Sequence, residues 1–394
     1  MSLSWSAFSD VTKELYPGGI DKETVMKDHP FLSMLEQRKD FAHRYLHVPI
    51  RFKLPQGASN TAAKAYTNES ASGYDAFQVT RVNTYAFWKI AGEVVDAAEH
   101  NDALFIDSVK AEMDGCLETM GQKLGANVFR STSGSVARVG SGTSSPITLS
   151  NIEDIYYFEV GKVISANDSD DATSPRSGVG TITGIDEDLG TITYSGTISS
   201  LSVGDYLFVE GDENTAGAGL GAWCPASAPG ATSFYGVDRS QHVTRLGGVR
   251  FDASGLTMSE VPIRARARMR RGPGGAGQMY WIGNPTDLAD FEVEKEGQKF
   301  ITSSNGYSFG IEGFEAYGCK FISDPNCQVG TLWGVDMSAF KWASMGDAPR
   351  LFKADGLDFI RSGSGTDYYE GQMVARHNWY SDAPNRIMRV TLPS

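Results

Sequence analysis

The clearest pattern along the chain is a run of apolar residues that recur at steps of three and four. The residues that carry it are Phe105, Val109, Met113, Cys116, Leu117, Met120, Leu124 and Val128. Charged residues fill most of the other positions, so the apolar side chains share one face of a helix. The pattern predicts a long amphipathic helix over residues 97–129, which at ~1.5 Å per residue would span roughly 45–50 Å.

Two stretches with the composition of strands precede this helix. Residues 45–54 alternate in part between apolar and polar positions, and residues 77–95 are rich in Val, Tyr, Phe and Trp, which favour strands. The connection between them, residues 55–73, consists mostly of Ala, Ser, Asn and Gly with few apolar anchors. A connection of this length is uncommon in a compact domain unless it projects outward or carries a function. The sequence therefore predicts a long extended β loop.

The composition changes after the helix. Residues 131–145 are mostly Ser, Gly and Thr, as in a flexible linker, and residues 215–221 are rich in Gly and Ala. Between these stretches, strands are predicted over residues 155–165, 179–186, 191–198 and 206–210. We interpret the segment as a small antiparallel β domain inserted into a larger fold. A domain of this size is marginal alone, and a strand from a flank would help to complete it.

From residue 223 onward, predicted helices and strands alternate. A helix is predicted over residues 256–271, and a short buried strand over residues 278–282. The run Asn284-Pro285-Thr286-Asp287 has the features of a helix start, with Asn at the cap, Pro in the first turn and an acid at the positive end. Further strands are predicted over residues 314–323, 331–335 and 372–379. The chain as a whole is predicted to be an α+β protein.

The composition is that of a folded protein without general affinity for nucleic acid. Apolar residues make up 41% and charged residues 21% of the 394 residues, as in globular proteins. The net charge of −13 disfavours DNA binding, because phosphate affinity comes from Lys and Arg. The spacing of Cys116, Cys224, Cys319 and Cys327 matches no zinc or redox motif, so reduced thiols are expected. With no leader pattern and no apolar run of membrane length, we expect synthesis in a cytoplasm and no membrane partner.

Two enzyme motifs occur in the wrong structural context. Residues 306–310 match the GxSxG nucleophile elbow, but a strand rather than a helix is predicted after them. Residues 272–277 match GxGxxG, but they connect a helix to a strand, the reverse of a dinucleotide-binding loop. His43 and His47 lie four residues apart in a predicted strand, which puts them ~13 Å apart, too far for one metal ion. The sequence therefore predicts no catalytic, cofactor or metal site, and no enzyme.

Charged clusters provide the remaining candidate contacts. One dense basic run contains Arg264, Arg266, Arg268, Arg270 and Arg271. These arginines are candidates for contact with DNA or with an acidic neighbour; the alternative is a solvated helix face. Three acidic clusters lie in the predicted inserted domain, at residues 168–171, 186–188 and 210–213. None has the spacing of a calcium loop, so solvated loops are expected, with a bound cation as the alternative.

The order of these parts resembles the major capsid proteins of tailed bacteriophages, whose fold is named for a Hong Kong phage and is shared with herpesviruses. The run Asn284-Pro285-Thr286-Asp287 after a strand is similar to a turn of their central domain. The runs Phe158-Glu159-Val160-Gly161 and Phe208-Val209-Glu210-Gly211-Asp212 are similar to those of capsid proteins with an inserted β domain. The ending Ser381-Asp382-Ala383-Pro384-Asn385 is similar to their last strand. The resemblance covers nearly the whole chain.

The resemblance implies a domain plan and the residues that make contacts. Residues 1–44 would be an N-terminal arm, 45–95 the extended loop over a neighbouring subunit, and 96–131 with 366–394 the peripheral domain with its spine helix. The inserted β domain would cover residues 132–222, and the axial domain 223–365. Candidate assembly contacts on the loop are Lys53, Pro55, Lys64, Tyr66 and Tyr74. Some relatives also crosslink a loop lysine to an asparagine, for which Asn378 and Asn385 are residues of matching type.

The resemblance further implies a function and partners. The chain would assemble with itself into hexamers and pentamers of an icosahedral shell, in a host bacterial cytoplasm, and would end in the virion. A separate scaffold protein, a portal protein and packaged double-stranded DNA without sequence-specific contacts are the expected partners; a decoration protein is left open. The alternatives are another virion or surface-layer structural protein, which would lack the loop followed by the spine helix, and a β-rich hydrolase, which would need a pocket of perturbed acids.

Overall fold

The computed structural model describes residues 29–92, 102–271, 279–296, 313–316, 319–352, 360–361 and 368–393. The GxGxxG run at 272–277, the GxSxG run at 306–310 and most of the predicted arm lie outside these residues. Among the residues described, no helix is long and apolar enough to cross a membrane.

The first described part of the chain forms a long two-stranded hairpin and one strand of a larger sheet. Its elements are α1 (Pro30–Met34), β1 (Gln37–Arg38), β2 (Tyr45–Lys53), α2 (Ala62–Thr67), β3 (Gly73–Thr80) and β4 (Val82–Ala91). Strands β2 and β3 pair antiparallel from Tyr45 opposite Thr80 to Lys53 opposite Gly73. The extended structure predicted over residues 77–95 is confirmed as far as Ala91, but it covers two strands, because the chain leaves the hairpin at Arg81 and pairs elsewhere as β4.

The predicted amphipathic helix is confirmed over its described residues as α3 (Asp102–Phe129). Its buried face, which includes Met113, Leu117 and Leu124, belongs to the same core as Trp88 and Ile90 of β4. Gly125 allows a close approach, since a Cβ there would lie 2.6 Å from Nδ1 of His29. The start of the described chain therefore passes close to the helix at a turn where a side chain would block it.

The segment after α3 forms a closed six-stranded barrel. Its strands are β5 (Ala137–Ser141), β6 (Ile147–Leu149), β7 (Val163–Asn167), β8 (Gly180–Asp186), β9 (Thr191–Gly196) and β10 (Tyr206–Val209), in the order β10-β5-β6-β9-β8-β7 around the barrel. The β8–β9 hairpin is confirmed, and Asp186 accepts a hydrogen bond from the Leu189 N–H in its turn. The strand predicted over residues 155–165 was wrong: residues Ile152–Tyr157 form a 3-10 helix, and β7 begins only at Val163.

Two six-stranded sheets, a two-stranded sheet of β11 and β12 and several short helices form the rest of the described chain. The remaining elements are α4 (Leu220–Trp223), β11 (Ser233–Phe234), β12 (Val237–Asp238), a 3-10 helix (Arg239–His242), α5 (Val243–Gly247), β13 (Val249–Asp252), α6 (Glu260–Met269), β14 (Met279–Gly283), α7 (Pro285–Glu296), β15 (Gly313–Ala316), β16 (Cys319–Ser323), β17 (Thr331–Asp336), β18 (Phe340–Ser344), β19 (Arg350–Leu351), β20 (Ile360–Arg361), β21 (Tyr368–Ser381), a 3-10 helix (Pro384–Arg386) and β22 (Ile387–Thr391). The strand predicted over 314–323 is two antiparallel strands, β15 and β16.

Strand β21 organises the first sheet. It pairs with β4 along one edge and with β18, β19 and β20 along the other. The second sheet has the order β13-β22-β17-β14-β16-β15. The end of the chain therefore contributes the long strand β21 to the first sheet and the short strand β22 to the second. Asn284 is the predicted cap of α7, and its Oδ1 accepts a hydrogen bond from the Thr286 N–H at 2.9 Å. The Asn-Pro-Thr-Asp signature thus starts a helix directly after β14, as predicted.

Candidate assembly surfaces

The base of the β2–β3 hairpin is buried, whereas its distal half is not. Val48, Ile50, Phe77 and Val79 belong to the main core, and the Phe77 ring meets the Trp223 ring edge-on with centroids 5.0 Å apart. These contacts hold the hairpin onto the body of the subunit. No buried residue occurs in the helix α2 at its far end.

The structure places all five candidate loop residues in the distal half. Lys53 and Pro55 are exposed where the paired strands end, and Lys64 is exposed on α2. Tyr66 is 82% exposed and Tyr74 68% exposed. Tyrosine has a large apolar ring that proteins usually bury, so two tyrosines this exposed are unusual. Tyrosine is also enriched at protein–protein interfaces. The role of these residues in assembly stays a prediction.

Asn378, one of the two asparagines considered for crosslinking, is a structural residue. It is completely buried, and its Nδ2 donates to the Thr80 carbonyl at 2.6 Å and to the Tyr235 hydroxyl at 3.0 Å. Its Oδ1 accepts from the N–H groups of Ala218 and Trp379, each at 2.8 Å. The amide ties the hairpin to the first sheet and is not accessible to a lysine of another copy. No local sequence signal marked this role.

The five arginines of the basic run lie on and just after α6. This helix buries Val261, Ala265 and Met269, while Arg264, Arg268, Arg270 and Arg271 are exposed and Arg266 is half-buried. Arg264 pairs with Glu260 at 3.0 Å, one helical turn away, and this hydrogen bond lowers the pKa of the Glu260 carboxyl. The run forms the solvent side of the helix, and a contact with DNA or an acidic neighbour stays a prediction.

A buried ion pair joins the end of α3 to the barrel. Arg130 donates to Asp154 at 3.0 Å, and its guanidinium carbon lies 5.0 Å from the centroid of the Tyr157 ring. Burial raises the pKa of Asp154, against the opposing effect of the Arg130 charge. Lys123 on α3 also pairs with Asp212 beyond β10, at 2.8 Å. Ion pairs thus hold the barrel to α3 both where the chain enters the barrel and where it leaves β10.

The Ser-rich stretch that the sequence suggested as a flexible linker is held by hydrogen bonds. The hydroxyls of Ser131, Ser133 and Ser135 all donate to the carboxylate of Asp170. This arrangement accounts for one residue of the first acidic cluster, and in the second and third clusters no group of possible metal ligands forms among the described residues. The interpretation of the acidic clusters as solvated loops stays a prediction.

Two buried carboxyl groups lie where the N-terminal segment, the second sheet and the barrel meet. Asp324 accepts hydrogen bonds from the Phe31 N–H and from the backbone and side chain of Asn326, each at 2.9 Å. Asp287 accepts from the Gly330 N–H at 2.9 Å. Burial raises the pKa of each carboxyl to about 6. No sequence motif indicated this junction.

The structure shows the surroundings of three of the four cysteines and of the two histidines considered as metal ligands. Cys116, Cys224 and Cys327 are free, and burial raises the pKa of Cys224 to about 11, so this thiol is not an activated nucleophile. His43 and His47 are both exposed. His377 is fully buried between aromatic rings, and burial lowers its pKa to about 3, which keeps it neutral.

Solved capsid structures share this fold over nearly the whole chain. The capsid of cyanophage A-1(L) superposes with a TM-score of 0.58 at 8% identity, covering 93% of both chains. The capsid of a native GTA particle superposes with a TM-score of 0.50 at 9% identity, covering 96% of this chain and 92% of that chain. No family model matches the sequence, and no curated protein is similar to it. At these identities the likeness establishes the fold: the chain has the α+β capsid fold of tailed phages, as predicted.

Proposed function

We propose that the chain is the major capsid protein of a tailed bacteriophage. In this proposal it assembles into hexamers and pentamers of an icosahedral shell that encloses double-stranded DNA. The observation that carries the proposal is the β2–β3 hairpin, which projects from a phage-capsid fold with an anchored base and an exposed distal half. Many weak contacts of this kind, repeated by symmetry, stabilise a closed assembly without any single tight contact.

The charge of the chain bears on one proposed partner, the packaged DNA. With a net charge of −13, the inner wall of a shell would hold DNA without gripping it, because phosphate contacts require cations. We propose that the scaffold is a separate protein, that a portal occupies one vertex, and that the barrel lies on the outer face. A lobe on the inner face would compete with packaged DNA for volume.

Electron microscopy of the purified full chain, alone and with the scaffold of its own phage, tests the proposal. We expect hexamers, pentamers or closed shells, with density for the barrel outside the wall. A strict monomer by light scattering under all conditions, including with that scaffold, would contradict the assembly. Barrel density inside the wall would contradict the placement alone. A tail tube or surface layer, the alternative structural role, would give open tubes or flat lattices.

A further inference from the structure

The solvent side of α6 carries a basic stripe beside an apolar one. Arg264, Arg268 and Arg271 recur at steps of four and three residues, so they share one side of the helix and of the turn that follows it. Ile263 and Ala267 lie next to them, and Ile263 is 50% exposed. Arg264 pairs with an acid of its own helix, whereas Arg268 and Arg271 are exposed and make no ion pair with any described residue.

The acidic clusters of the barrel differ in how far their carboxylates already have partners. In the first cluster, Asp170 accepts three serine hydroxyls, and Asp171 accepts hydrogen bonds from two hydroxyls of its own loop. In the third cluster, Asp212 pairs with Lys123, and Glu213 accepts a serine hydroxyl. Most of the negative charge in these two clusters is thus used inside the subunit.

The second cluster, in the turn between β8 and β9, keeps two adjacent carboxylates for other contacts. Asp186 accepts a hydrogen bond from the Leu189 N–H and so closes the turn. Glu187 and Asp188 are exposed, and neither side chain has an ion pair or hydrogen bond with another described residue. Leu189 follows them and is 63% exposed. The turn therefore presents two carboxylates beside an apolar side chain, which is the complement of the face of α6.

The two complementary surfaces are not joined within one subunit. No ion pair or hydrogen bond among the described residues connects α6 with the β8–β9 turn. Opposite charges on two surfaces steer their encounter and fix the register of the contact. A contact between two different patches of identical chains is heterologous, and its repetition around an axis builds a ring. A second copy of the chain therefore supplies the partner that each surface lacks.

We propose that the basic and apolar face of α6 binds the β8–β9 turn of a second copy. In this contact Arg268 and Arg271 pair with the two carboxylates of the turn, and Ile263 packs against Leu189. The contact rests on the proposed capsid function, of which it would be one repeated interface. Because exposed ion pairs are screened by salt, the association should weaken as the ionic strength rises.

Sedimentation velocity of the full chain, over a concentration series at low and at physiological ionic strength, tests the contact. Reversing the basic charges (Arg268→Glu with Arg271→Glu) should weaken self-association at least about tenfold, because like charges then face each other. Reversing the acidic charges (Glu187→Arg with Asp188→Arg) should weaken it by a similar factor. A chain with all four changes has the net charge of the wild type and the same pairs in reverse, so it should regain most of the loss.

Matched single changes separate the contact from general effects of charge and exposure. Asp188→Arg alone should weaken association, whereas Glu210→Arg, the same change on another exposed carboxylate of the barrel, should associate like wild type. Leu189→Ala should weaken association by a smaller factor, whereas Val203→Ala, at a barrel position that is 62% exposed, should not. Melting followed by circular dichroism checks that every variant is folded.

The outcomes for this contact and for the capsid function are distinguishable. A wild-type chain that stays monomeric at every concentration, a charge reversal without effect, or a four-change chain that recovers nothing would overturn the contact. Shells that still form with the scaffold, seen by electron microscopy, would leave the capsid proposal intact. Recovery in the four-change chain with open tubes or flat lattices would support the contact and contradict the shell. Arginine reversals that abolish binding of double-stranded DNA and leave association unchanged would assign the arginines to DNA and overturn the contact.

Discussion

The β2–β3 hairpin and the barrel are two β structures on one body, and they are built differently. The hairpin has two strands, and its buried apolar residues lie only at the base. The barrel has six strands, and its own core includes the fully buried Val139, Ile164 and Leu207. A two-stranded ribbon is marginal in water, whereas a closed barrel removes every strand edge. The barrel buries a core within the subunit, whereas the distal half of the hairpin would be buried only in the proposed assembly.

Because of this difference, mutations in the two regions should affect different measured properties. A fully buried aliphatic side chain contributes about 1.5–3 kcal/mol relative to an exposed one. The distal half of the hairpin has none in the isolated subunit, so its loss should leave the stability of the subunit unchanged. The same residues would become buried only against a neighbour. Changes in the barrel should instead appear in the stability of the subunit.

The largest expected effect is the loss of assembly on shortening the hairpin. Lys53 and Gly73 are paired residues, so replacing residues 54–72 with Asn-Gly should close a two-residue turn without strain in the strands. We expect a folded subunit with an unchanged melting temperature that forms no stable shells. Electron microscopy and circular dichroism measure the two properties.

A matched control is Gln78→Ala, an exposed change at the base of the same strand. It should leave assembly intact, provided that assembly depends on the distal half. Normal particles from the shortened variant would contradict the assigned role, and an unfolded subunit would show that the distal half has a structural role.

The second expectation is that the barrel folds alone. Residues 131–218 contain all six strands and the serine contacts to Asp170. The excised fragment should give an antiparallel β spectrum by circular dichroism and dispersed amide protons by NMR, although a domain of this size has modest stability. Random-coil spectra from this fragment and from several with shifted ends would refute independent folding. The corresponding hairpin peptide, residues 45–80, should be unfolded.

Single truncations should have a smaller effect, and here the sensitive region should be the barrel rather than the hairpin. Leu207→Ala in the barrel removes a completely buried side chain and should lower the free energy of unfolding by about 3 kcal/mol. Tyr66→Ala on α2, which is 82% exposed, should change it by less than about 0.5 kcal/mol. Urea denaturation of the full chain measures both. Equal losses from the two changes would mean that the distal hairpin packs on the subunit after all.

The elements that the sequence predicted well have local signals. The period of α3, the turn between β8 and β9 and the Asn284 cap each depend on residues close together in sequence. Strand β5 was missed because Ala137–Ser141 lies in a Ser/Gly-rich stretch and becomes a strand only through pairing with β6 and β10. Strand β5 precedes the strands that the sequence predicted and closes the barrel, whereas the insertion of this barrel into a host fold stays a prediction.

The candidate contact residues also divide into those that local sequence indicates and those that it does not. Exposure of the loop residues follows from composition, because a stretch with few apolar anchors cannot bury itself. The hydrogen bonds of Asn378 and the junction at Asp324 join residues far apart in sequence. Nothing local marks such residues, so only the folded structure reveals them.

The smallest expected effect tests whether the barrel is coupled to the second sheet. Burial, together with repulsion from Asp290 and from Glu153 on the barrel, raises the pKa of Asp287 to about 6, against ~3.9 in unfolded chains. Between these values the folded state binds more protons, so the contribution of this group to stability falls as the pH rises through 6. Asp287→Asn removes the titration and keeps an acceptor for the Gly330 N–H. Its stability relative to wild type should therefore increase by about 1 kcal/mol from pH 5 to pH 7.

His377 and Asp324 titrate in both proteins and cancel in the difference. Glu153→Gln should give a smaller increase, whereas the shortened hairpin should give none. Urea denaturation at the two pH values measures these differences, and an Asp287→Asn protein with the wild-type pH dependence would show that the carboxyl does not titrate in this range.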